Sequence, residues 1–125
     1  MQKSEKIIFS IAVLVIVIFS AFGFYLIEGE FKVKSLAVSG HAHVLLFAYG
    51  AILFGLLMKT IDIAEFKKRI LAVLMSLTYL APIMLIYAGF TGNTAVLQVS
   101  GPIFEGLFVI LWAKMLYLIF KQKTA

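Results

Sequence analysis

Four long apolar stretches separated by short polar breaks make up almost the whole chain. They run from Ile7 to Ile27, from His41 to Met58, from Ile70 to Phe90, and from Ala95 or Pro102 to Phe120. As helices rising about 1.5 Å per residue, they are long enough to cross a hydrocarbon layer of about 30 Å. The breaks carry turn formers and charge: Glu28-Gly29-Glu30, the run Lys59 to Arg69, and Thr91-Gly92-Asn93-Thr94. The pattern predicts an all-α integral membrane protein, a four-helix transmembrane bundle forming one domain over residues 1–125. The first stretch exceeds the apolar core of a secretory leader, and no small-x-small cleavage site follows it at Tyr25-Leu26-Ile27. It is read as a retained first helix.

Composition supports lipid as the solvent: 63% of the residues are hydrophobic and only 14% are charged, far from the balance of a soluble domain. The absence of cysteine removes disulfides, thiolate ligands, covalent haem attachment and cysteine catalysis. A Gly-rich phosphate loop, a nucleophile elbow and a paired-histidine zinc motif are also missing, so conventional catalysis by side chains is not expected.

The charges give an orientation. Lys3 and Lys6 precede the first helix, Lys59, Lys67, Lys68 and Arg69 lie between the second and third, and Lys121 and Lys123 follow the fourth. The other side has Lys32 and Lys34 in its first loop and no charge in its second. The positive-inside rule then puts both termini in the cytoplasm of a plasma-membrane protein. The net charge of +5 is accounted for by this asymmetry and by anionic lipid headgroups, without nucleic acid. Lys114, near the cytoplasmic end of the last helix, is read as snorkelling and given no function.

The candidate chemistry centres on His41 and His43, the chain's two histidines. Ionisable groups at or within a membrane usually have a function. With Ser39 as N-cap, His41 would head the second helix, and side chains two positions apart would point about 200° away from each other. Were the segment extended at Gly40, both imidazoles would share one side and chelate a metal ion.

Other polar residues are expected at a similar depth. Glu105 lies near the extracytoplasmic start of the fourth helix, and Met84 and Tyr87 belong to the matching half of the third. Pro82 and Pro102 each remove a backbone hydrogen bond, which would loosen that half. The expectation is an outer cavity lined by Tyr49, Met84, Tyr87 and Glu105. Ala48, Gly50, Ala51 and Gly55 would leave room below the histidines, with Phe47 and Phe54 as flat walls. Read by themselves, these small residues favour close helix packing over a cofactor.

The stretch Gly40-His41-Ala42-His43-Val44-Leu45-Leu46-Phe47-Ala48-Tyr49-Gly50 resembles the histidine-bearing start of a helix in haem-copper oxidases and nitric oxide reductases. There, a histidine at the head of an early helix ligates a b-type haem. The chain also resembles small four-helix membrane proteins with a His-x-His motif at the head of helix 2. Those oxidases use six histidines, so their oxygen chemistry is not expected here. The small relatives carry a further histidine near the start of helix 4, where this chain reads Ser100-Gly101-Pro102-Ile103-Phe104-Glu105-Gly106.

The functional expectation is a membrane protein that binds haem b, or a divalent transition-metal ion, for electron transfer or small-gas binding. His41 or His43 is the axial ligand, and both are the candidate metal ligands. Met84 is a possible second ligand, Glu105 and Tyr87 are hydrogen-bond partners, and Lys32 or Lys34 lies near the propionates. Its partners would be the lipid bilayer, further copies of the chain in a homo-oligomer, and a redox protein. The alternatives are an accessory or scaffold subunit without a cofactor, and a small transporter or proton carrier.

Overall fold

The computed structural model describes residues 1–122, without the side chain of Ile27. Lys123, counted above with the basic residues, lies outside the described residues. The helices are α1 (Lys3–Glu28), α2 (Lys34–Met58), α3 (Glu65–Leu77), α4 (Leu80–Thr91), α5 (Ala95–Ser100) and α6 (Gly106–Lys121), with a π-helical stretch at Gly101–Glu105 between the last two. They form four spans long and apolar enough to cross a membrane, because α3 and α4 run on as one and α5, the π stretch and α6 as another. No strand occurs among the described residues.

Two helices start earlier than the apolar pattern predicts: α2 at Lys34 instead of His41, and α3 at Glu65 instead of Ile70. Apolarity marks the part of a helix that lies in hydrocarbon, whereas the helix itself continues through the polar interface while its backbone groups stay bonded. Ser39 is therefore not the N-cap. That position falls to Val33, whose N–H donates to the Gly89 carbonyl of α4 at 2.8 Å.

Pro82 explains the division of the third span. It has no N–H for the Thr78 carbonyl, and its ring crowds that carbonyl. The chain responds with tighter bonds, Thr78 N–H to the Met75 carbonyl at 3.2 Å and Ala81 N–H to the Thr78 carbonyl at 3.2 Å. Below the break α3 packs mainly on α1, and above it α4 packs on α2. Pro102 acts likewise in the fourth span, where it is the second residue of the π-helical stretch. At the far end of α4, Gly92 closes the helix with φ of 73°, a left-handed conformation that favours glycine.

Small residues let the helices approach closely. A methyl group added at Gly40 would stand 2.8 Å from both the Ile86 nitrogen and the Pro82 carbonyl oxygen, and one at Gly89 would stand 2.6 Å from the Ala37 nitrogen. Gly55 faces Ile8 and Phe9 of α1, and Gly50 faces Phe108 of α6. With Ala48 and Ala51 also buried, the low bulk below the histidines is taken up by helix contacts.

Candidate functional site

His41 and His43 lie within regular helix, the latter roughly 13 Å along the axis from Lys34 at about 1.5 Å per residue. The extended alternative at Gly40 is thereby removed, and both imidazoles lie roughly two turns or more past the start of α2, at about 3.6 residues per turn. The helical rotation sends them to different surroundings. His41 is half-buried against α1, and His43 is exposed on the outside of the chain.

His41 Nε2 lies 2.7 Å from the Phe19 carbonyl oxygen. A carbonyl only accepts, so Nε2 carries a proton, and the neutral tautomer that fits has its lone pair on Nδ1. Gly23 leaves room for this bond, because a Cβ there would stand 3.1 Å from His41 Nε2. The His41 ring also meets Phe22 at 6.3 Å between centroids. Phe22 in turn contacts Phe19, Tyr25, Phe31 and Phe90, which together seal the end of the bundle where α1 meets α2. This histidine joins α1 and α2 through its Nε2.

His43 has the opposite tautomer. Its Nδ1 lies 2.7 Å from the Ser39 carbonyl oxygen one turn back, and 3.3 Å from the Ser39 hydroxyl. The carbonyl contact places the proton on Nδ1, which leaves the Nε2 lone pair directed away from its own helix. Backbone bonding at one ring nitrogen with the other free is the arrangement that orients histidine ligands of metals. His43, Phe47 and Gly50 share one stripe of α2 by their spacing. Lower on that stripe Phe47 stacks on Phe108 of α6 at 4.2 Å, and Gly50 meets Phe108 and Trp112.

The remaining candidates do not gather into a closed chamber. Tyr49 is 59% exposed, Tyr87 is 45% exposed, and Glu105 also lies on the outside. Met84 is half-buried, and no hydrogen bond or ring contact among the described residues joins it, Tyr87 or Glu105 to either histidine. The expected cavity lined by Tyr49, Met84, Tyr87 and Glu105 is corrected accordingly. The bend at Thr78–Tyr79 carries α4 onto α2 through Gly40 and Gly89, and this closes the gap the prolines were expected to open. Lys32 and Lys34 are exposed at the head of α2, with Lys32 lying against Gly92.

Among the described residues no group of three or more His, Cys, Asp or Glu side chains could hold a metal ion. Within one chain the two histidines diverge and do not chelate a single ion. The sequence reading missed Phe19, Phe22, Gly23 and the local partner Ser39. Gly23 was the available signal, the one glycine in the first apolar stretch. Compared with known proteins, the chain matches no family model, no curated protein and no solved structure.

Proposed function

We propose that the protein is a membrane haem-b-binding or metal-binding protein, acting in electron transfer or small-gas binding, in which His43 is the axial ligand and His41 a structural residue. One observation carries this reading: His43 presents a free Nε2 on the outside of a transmembrane helix, well below the helix head, with Nδ1 fixed on the Ser39 carbonyl. An imidazole facing hydrocarbon is costly without a partner. A cofactor or metal between two copies of the chain meets that need, with one His43 from each. Haem iron held by two neutral imidazoles would supply one-electron chemistry. In such a pair the protein contributes the tautomer, the orientation and an apolar wall. Lys32 and Lys34 at the head of α2 offer cations to carboxylate groups at that end.

The test is the visible spectrum of protein purified from cells supplied with haem and metals. A Soret band that disappears in His43→Ala and persists in His41→Ala is expected, with one haem per two chains. Colourless, metal-free protein overturns the reading. A second reading, an accessory subunit without a cofactor, draws on the exposed stripe of Leu46, Tyr49, Leu53 and Leu56 beside His43, an apolar surface suited to a larger membrane partner.

A further inference from the structure

At the opposite end of the bundle, near Gln122, a recess of about 740 Å³ opens between the start of α3 and the end of α6. Its walls include Ile70 and Leu118, and its polar groups include Lys67, Lys114, Lys121 and Tyr117. Asp62 also lines it, so the charge there is three cations against one carboxylate. None of these lysines has a carboxylate within ion-pair distance among the described residues.

Two of the cations are drawn to one ring. Lys114 Nζ lies 5.1 Å and Lys121 Nζ 5.7 Å from the centre of Tyr117. Ammonium groups are attracted to an aromatic face, and spacings of three and four residues from Tyr117 keep both lysines on the same face of α6. Lys114 is seven residues before Lys121, roughly 10 Å deeper along the helix at about 1.5 Å per residue. The recess therefore presents positive charge at two depths beside an aliphatic wall. A soluble anion would leave that wall uncovered, whereas a phospholipid has a phosphate for the lysines and an acyl chain for Ile70 and Leu118.

We propose that this recess binds one anionic phospholipid, with its phosphate against Lys114, Lys121 and Lys67 and an acyl chain along Ile70 and Leu118. The site is independent of the histidines and stands whether or not a cofactor is bound.

Native mass spectrometry of the full chain in a neutral detergent tests this, with phosphatidylglycerol, phosphatidylcholine or inorganic phosphate added in turn. One phosphatidylglycerol per chain should be retained in preference to phosphatidylcholine. Lys114→Gln with Lys121→Gln should weaken retention about thirtyfold, at about 1 kcal/mol per lysine near an anionic lipid surface. The pair Lys3→Gln with Lys6→Gln, which removes equal charge at the same end, should leave retention unchanged. Equal retention of phosphatidylcholine overturns the proposal, as does undiminished retention by the Lys114/Lys121 variant. Equal loss in the Lys3/Lys6 variant also overturns it, in favour of general surface charge. Retention of inorganic phosphate as tight as that of the lipid reassigns the recess to a soluble anion.

Discussion

The Glu65 carboxylate at the start of α3 accepts two hydrogen bonds from Ser4 in the first turn of α1, from the backbone N–H at 2.8 Å and from the hydroxyl at 3.1 Å. The first turn of a helix has N–H groups without an intrahelical acceptor, so α3 caps α1 across the bundle. It does so at the end where Lys68 is also buried.

Glu65→Ala should lower the stability of the protein, because it takes the acceptor away from two donors in the first turn of α1. Glu65→Gln, which keeps a carbonyl for one of the two donors, should cost less. Denaturant unfolding in detergent, followed by the fluorescence of the single tryptophan, Trp112, measures both. Equal stability of Glu65→Ala and the parent chain would show that the cap contributes nothing.

The contact between α2 and α4 gives a sharper test. Gly40 faces backbone atoms of Pro82 and Ile86, which cannot rotate aside, whereas Gly101 has nothing within 4 Å of an added methyl group. Gly40→Ala should therefore destabilise by about 1–3 kcal/mol, the range for overpacking a tight contact. Gly101→Ala should be close to neutral. The same unfolding measurement compares them, and equal effects would contradict the packing described.

Tyr79 is 4% exposed, and its hydroxyl has no hydrogen-bond partner among the described residues. A buried hydroxyl without a partner costs about 1–3 kcal/mol on the scale of protein substitutions. Tyr79→Phe removes the oxygen and keeps the ring, so its melting temperature should equal or exceed that of the parent. A marked fall would reveal a partner for the hydroxyl.

Orientation is testable because the chain has no cysteine of its own. From the distribution of lysines, Asn93→Cys should react with a membrane-impermeant thiol reagent added outside intact cells, and Asp62→Cys should react only after lysis. The reverse pattern would invert the topology and place the histidine half of the bundle on the cytoplasmic side.

The sequence by itself determined the fold class, the four spans and their polar breaks, because a 30 Å apolar solvent demands runs of apolar residues that nothing else in a chain of this size requires. It also determined that His41 and His43 diverge once the segment is helical, since that follows from backbone rotation alone. The helix starts at Lys34 and Glu65 were not legible, because polar residues at a membrane interface continue a helix without an apolar signature. Only the tertiary structure decided which histidine bonds to another span. The carbonyl of Phe19 lies on another span, and the room for His41 comes from Gly23, a residue far from it in sequence. The fate of the outer half was decided in the same way. Pro82 was legible as a break, but the direction in which it turns α4 is set by the close fit of Gly40 and Gly89 against α4 and α2, a contact between residues that carry no side chain to announce it.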